Sequence, residues 1–250
     1  MMRRWMAAAL AALMVLSLAA CAGNQQEEQS ASAEATEQSQ SASVQEEEEP
    51  ASTEQQPEEP ASSTEQPSDT QESGVLVAYF SWADNAVIDG EVDAVASPSV
   101  TAPGNVQQLA QWVSERTGGD LFSIQATEPY SSDWDACLER ANQERAEDAR
   151  PELTASVEQL ERYDTVFLGY PNWWYGVPMA LLSFLEENDL SGKQVYLFCS
   201  HGTGGLANSV ELITEAAPNA VISDNIFDCY EEEAASAQAD IQSWVAELGY

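Results

Sequence analysis

From Val75 onward the chain alternates between two hydrophobic patterns. The runs "VLVAYF" (75–80), "DLFSIQA" (120–126), "TVFLGY" (165–170), "QVYLFCS" (194–200) and "NAVIS" (219–223) are short and mostly apolar. Runs of this kind suit strands of a parallel sheet buried on both faces. Between them the spacing turns helical. Val106, Leu109, Ala110 and Val113 fall at i, i+3, i+4 and i+7, ahead of Gly118 and Gly119, which predicts a helix ended by glycine. Trp134, Leu138 and Ala141 stripe a second helix over 133–147, stopped before Pro151, and a further short helical stretch precedes the third run. Pro178 suits the first turn of a helix carrying Leu181, Leu182 and Leu185. Leu206, Val210, Ile213 and Ala217 mark the next, and 234–248 a closing amphipathic helix. Strands alternating with helices predict an α/β fold, a doubly wound, open five-stranded parallel sheet with right-handed crossovers. Ligands in such sheets sit beyond the carboxyl ends of the strands. The loops after Phe80, Tyr170 and Ser200 are therefore where function is expected.

The alternation is absent before Val75. The chain opens "MMRRWMAAALAALMVLSLAAC", a basic head, a short apolar run and small residues before a cysteine. This is the pattern of an export leader, too short at its core for a comfortable membrane span. The ending "LAAC" resembles a bacterial lipobox, which implies cleavage before Cys21 and a lipid on its sulfur. Residues 22–74 are Glu, Gln, Ser, Ala, Thr and Pro with almost nothing apolar and no basic residue. Such a stretch cannot bury enough surface to offset its ordering entropy, and reads as a disordered tether. The expected organisation is a leader over 1–20, a tether over 21–74 lipidated at Cys21, and a folded domain over 75–250. That places the domain outside the cytoplasm, anchored to a bacterial membrane.

Charge narrows the function. Asp and Glu number 43 against 8 Lys and Arg, a net charge of -35, of which the domain carries roughly -23. Nucleic-acid binding is excluded, because neutralising phosphates needs a basic face; a partner protein with a basic face fits instead. Cys137, Cys199 and Cys229 allow at most one disulfide. His201 is the only histidine and no Cys-x-x-Cys occurs, which argues against a zinc-type metal site.

The three loops carry the candidate chemistry. The first, from Ser81, is long and ends Pro103-Gly104-Asn105 at a helix start, a natural anion site; Ser81, Thr101 and Asn105 could add donors. The second, Pro171-Asn172-Trp173-Trp174-Tyr175-Gly176, places three large rings in succession. They would either stack on a flat heteroaromatic or fold back as a local apolar lid. The third, "CSHGTGGLANS" (199–209), offers backbone amides at another helix start. "GTGGLA" (202–207) with Asp224 matches a dinucleotide fingerprint, but on the fourth strand, where no second half of that fold follows. A hydrolase elbow at Cys199 or Ser200 would need the adjacent His201 as base, and neighbouring side chains at a strand end point apart.

Together "VLVAYFSW", "PGNVQQLA", "VFLGYPNWWYGVP" and "FCSHGTGG" resemble the flavodoxin-like proteins, over essentially all of 75–250. The resemblance implies strand order 2-1-3-4-5 and a bound FMN. By position, Ser81, Trp82, Gly104, Asn105 and Val106 would hold its phosphate. Pro171, Asn172, Trp173, Trp174, Tyr175 and Gly176 would flank the isoalloxazine. Ser200, His201, Gly202, Thr203 and Gly204 would meet its other edge. The family's phosphate loop is a compact turn rich in hydroxyls; here "SWADNA" lacks them. An insertion of about twenty residues brings Asp84, Asp89, Glu91 and Asp93, unwelcome beside a phosphate unless they point away. The implied function is electron transfer between redox partners, with no side chain acting covalently. Two alternatives stay open: an FMN-dependent NAD(P)H:quinone-type reductase, in which His201 or Tyr175 could pass protons, and a flavodoxin-shaped module without FMN.

Overall fold

The computed structural model describes residues 74–93 and 96–250. The expected leader, Cys21 and the tether up to Ser73 lie outside these residues. Gly74, assigned above to the tether, belongs to the fold: its carbonyl accepts from the amides of Asp164 and Thr165 at 2.9 and 3.1 Å.

The elements are β1 (Val75–Tyr79), α1 (Trp82–Asn85), β2 (Ala86–Val87), α2 (Ser97–Val100), α3 (Asn105–Thr117), β3 (Asp120–Ser123), β4 (Tyr130–Ser131) and α4 (Trp134–Ala146). There follow β5 (Thr165–Pro171), α5 (Met179–Glu187), β6 (Gln194–His201), α6 (Ser209–Ala216), β7 (Val221–Ile222), β8 (Phe227–Tyr230) and α7 (Gln238–Glu247). The main sheet runs β3-β1-β5-β6-β7, with β8 also on β6, and every pairing is parallel. This is the order 2-1-3-4-5 with one difference. The fifth position is filled by two pieces, β7 against Gln194–Val195 and β8 against Phe198–His201, so the sheet counts six strands. Between them the chain turns out of the ladder. The Asn225 amide bonds Ser223 Oγ, and its side-chain oxygen accepts from Trp244 Nε1 at 3.1 Å.

Period-two side-chain alternation explains why both faces are dry. Leu76, Ala78, Val166, Leu168, Leu197 and Cys199 point to the face covered by α5. Val77, Tyr79, Phe167 and Phe198 point to the face covered by α3 and α7. Gly169 is demanded by this packing. A Cβ there would lie 2.2 Å from Phe198 Cζ, so the phenyl ring passes where any other residue would begin.

Two expectations change. The first loop is structured: α1, β2 and α2 fall within it, and β2 forms a small parallel sheet with β4. It is pinned by Asn85, a buried side chain whose Nδ2 donates to the carbonyls of Ser81 and Ile124 and whose Oδ1 accepts from Ala126 N. The second helix keeps its limits, capped by Asp133 Oδ1 at Ala136 N, but buries Cys137 and Ala141 rather than Trp134, which is 38% exposed. The three cysteines are all free. Cys199 and Cys229 pack on opposite faces of the sheet.

Candidate functional site

The carboxyl ends of β1, β5 and β6 and the start of α3 converge on a cleft of about 290 Å³, near the small end of ligand sites. Ser81, Trp82, Asn105, Val106, Pro171, Asn172, Trp173, Trp174, Tyr175, Ser200, His201, Gly202, Thr203 and Gly204 all line it. Of the residues singled out from the sequence, Gly104 and Gly176 are not among the lining. Thr101 is exposed and is not part of the lining.

The expected phosphate end divides into residues that are spent and residues that are free. Trp82 is 3% exposed, its indole Nε1 donates to Ser131 O at 3.1 Å, and its ring packs against Trp134 and Trp173. Its role is to tie the first loop to the segment before α4. Asn105 Nδ2 is taken by Glu231 O at 3.0 Å and, more weakly, Ser99 Oγ at 3.4 Å. What remains is the set of amides at the α3 N-terminus, which have no intrahelical acceptors, and the Ser81 hydroxyl. Ser81 is 1% exposed and its Oγ has no hydrogen-bond partner. Gly104 makes this arrangement possible, because a Cβ there would meet Ser99 O at 2.6 Å and Ser81 Oγ at 2.8 Å. The insertion's acids stay away: Asp84 accepts from Ser123 Oγ at 2.6 Å, and Asp89, Glu91 and Asp93 are exposed outside the cleft.

The aromatic loop is a tight turn closed by Gly176 N to Trp173 O at 2.9 Å. Both central residues, Trp174 and Tyr175, have positive φ, 53° and 60°. Side chains with a Cβ pay about 1–2 kcal/mol for that conformation. Neighbours hold it: Arg145 donates to Trp174 O at 2.7 Å, Asn208 N to Tyr175 O at 3.0 Å, and Asn172 Nδ2 to Gly205 O. The three rings therefore part company. Trp173 turns inward, edge-on to Phe80 and Tyr130 at centroid distances of 5.3 Å, the local apolar role. Tyr175 is 62% exposed and lies over Gly204. Trp174 stays at the cleft wall with Nε1 buried and unpartnered.

His201, 5% exposed, is held between two acceptors, Gly202 O at 2.7 Å from Nδ1 and Asp228 Oδ2 at 2.8 Å from Nε2, with Tyr230 edge-on. Both ring nitrogens thus lie within hydrogen-bonding distance of an oxygen. Neither nitrogen is left to serve the cleft, so the proton transfer considered for His201 has no free atom here.

Six lining residues escaped the sequence reading: Ser99, Trp134, Cys137, Leu138, Ala141 and Glu231. Trp134, Leu138 and Ala141 of α4 carried a signal, the helical stripe, but it pointed to the core; Cys137 carried none. Burial pushes the Cys137 thiol up to about 12, leaving it protonated and inert. Glu231 sits in a run of three glutamates that reads as a solvated face. In the fold it is half-buried, and burial, aided by Glu232 and opposed by His201, raises its carboxyl above the usual range.

Residues 93–248 match the sequence profile of the family described as Flavodoxin. The chain belongs to the flavodoxin family. β1 and Ser81 precede the matched stretch of this flavodoxin-family chain, and the rest of the sheet lies within it. No curated relative matches the sequence. Among solved structures it is similar to a candidate flavoprotein from Bacteroides eggerthii, with 26% identity and a TM-score of 0.53, covering 70% of this chain and 98% of that one. It is also similar in fold to a candidate flavoprotein from Bacteroides uniformis, at 23% identity and TM-score 0.54, covering 69% and 97%.

The residues present fit a flavin. Two residues that line one cleft, Ser81 and Trp174, each carry a buried donor without an acceptor, Oγ and Nε1. Each orphaned group costs about 1–3 kcal/mol, which a ligand bearing acceptors would recover.

Proposed function

We propose that this chain binds FMN in the cleft and transfers electrons between redox partners. The observation that carries the reading is the pair of unpartnered buried donors, Ser81 Oγ and Trp174 Nε1, on residues lining one cleft beyond the strand ends of a flavodoxin-family fold. Bound FMN would supply one- and two-electron transfer. The protein's part is placement. The Ser81 hydroxyl and the first amides of α3 would hold the phosphate. Trp174 and Tyr175 would flank the ring system, with the amides of Gly202, Thr203 and Gly204 at its edge. Asp228 and Gly202 immobilise His201, and Arg145 immobilises the aromatic turn, so the walls are set before the ligand arrives. The acidic surface favours a redox partner with a basic face. Lipidation at Cys21 with the acidic segment as tether would station the domain at the outer side of a bacterial membrane.

One observation favours a second reading, an FMN-dependent NAD(P)H:quinone-type reductase. Trp134, Leu138 and Ala141 give the cleft an apolar wall from α4, which a flat acceptor could use and a carrier does not need.

Titration of the full chain with FMN, followed by flavin fluorescence, tests the first proposal. Stoichiometric quenching supports it; free-flavin fluorescence at micromolar protein refutes it. Turnover of NADH or NADPH with a quinone by the loaded protein would select the reductase.

A further inference from the structure

Among the described residues lining the cleft, Glu231 is the one carboxylate and His201 the one imidazole, and no lysine or arginine lines it. We infer that Glu231 opposes a phosphate in this cleft and sets how strongly the site prefers a phosphorylated flavin over the same flavin without its phosphate. The inference rests on the flavin reading above.

Two opposed devices meet at the start of α3. The attractive one is the helix amides with Ser81 Oγ, which is buried, unpartnered and 2.8 Å from where a Cβ of Gly104 would stand. The repulsive one is bound to the same helix start. Asn105 Nδ2 donates to the Glu231 carbonyl at 3.0 Å, and the Glu231 amide donates to His201 O at 2.9 Å. These bonds fix the Glu231 backbone; the residue lines the cleft, and its Oε1 lies 3.6 Å from the position a Cβ on Gly202, another lining residue, would take. Both His201 nitrogens already face other oxygens, Gly202 O and Asp228 Oδ2, and not this carboxylate. A phosphate dianion drawn to the α3 amides would therefore share the cleft with a carboxylate, with no lysine or arginine in the lining to offset it. The ribityl hydroxyls and ring of a flavin carry no such penalty, and a carboxylate can accept from the hydroxyls. The site gains from the phosphate less than a helix start with a free serine would alone.

The test is a pair of titrations, FMN and riboflavin, on the full chain and on Glu231→Gln and Glu232→Gln. Glu232 is exposed and does not line the cleft, so its variant makes the same change in net charge without touching the site. Glu231→Gln is expected to raise the FMN-over-riboflavin ratio about tenfold, the order of one like-charge contact at near-water screening. Glu232→Gln is expected to leave it within about twofold. Equal ratios in the wild type and Glu231→Gln overturn the role of Glu231 while the flavin reading stands. An equal rise in both variants reduces it to general charge and overturns it too. Failure of both flavins to bind any of the three proteins overturns the flavin reading, and this inference with it.

Discussion

Replacing Ser81 with alanine should move stability and affinity in opposite directions. In the free protein the hydroxyl is buried without a partner, and only the hydroxyl is removed. The Ser81 carbonyl keeps its bond from Asn85 Nδ2 at 2.9 Å. Relieving an unsatisfied buried group returns about 1 kcal/mol or somewhat more. For a domain of this size that raises the melting temperature by about 2–4 °C. With FMN present the same change removes a hydrogen bond to a charged group, about 1.5–3 kcal/mol, or roughly tenfold to a hundredfold in Kd. Differential scanning fluorimetry without ligand and a fluorescence titration with FMN read the two halves. A lowered melting temperature would mean that Ser81 is satisfied in the free protein. An unchanged Kd would mean that its hydroxyl does not meet the ligand.

Trp174→Ala should weaken FMN binding by about 1–3 kcal/mol, the range for losing a stacking platform, whereas Trp174→Phe, which keeps a ring and loses Nε1, should cost about 1 kcal/mol; equal Kd values for wild type and both variants would place Trp174 off the ligand. Gly169→Ala should lower stability in urea by about 1–3 kcal/mol or more, because its Cβ would lie 2.2 Å from Phe198 Cζ. A wild-type midpoint would show that the ring yields at no cost. Glu231 has its carboxyl raised by burial. Its contribution to stability is thus fully present below the unfolded value and is lost as pH rises through the higher folded one. Glu231→Gln should therefore gain stability over wild type as pH climbs from 4.5 to 7.5 in urea titrations; a constant difference would count against a buried, raised carboxyl.

Much of the architecture was legible along the chain because the main strands are buried on both faces. Apolar runs such as Val166–Tyr170 and Val195–Ser200 have no other stable place than the middle of a parallel sheet. The loops that carry the site followed from the same pattern, since strands in such a sheet all end on one side. Short-range chemistry marked Asn105 and the Trp-Trp-Tyr run as special. What those residues do was less legible. Trp173 and Trp174 are neighbours in sequence and both line the cleft, yet only Trp173 packs edge-on against Phe80 and Tyr130 of the core. Their division depends on a turn with two positive φ values, held by Arg145 and Asn208 from other elements.

The periodicity of the chain by itself determined the α/β class, the order of its main strands and helices and the edge of the sheet where a ligand would sit, because these depend on which residues must leave water. Tertiary structure alone decided the roles of individual side chains. The Trp82 indole and the Asn105 amide look like ligand donors in sequence, but Ser131 and Glu231, distant along the chain, occupy them. Ser81 looks like one candidate donor among several, and only packing reveals that its hydroxyl is buried with nothing to bond. Glu231 looks like one of three solvated acids until β8 sets it beside His201 and the start of α3. A donor's availability and a carboxylate's surroundings are properties of the partners brought to it, and those partners are chosen by the fold.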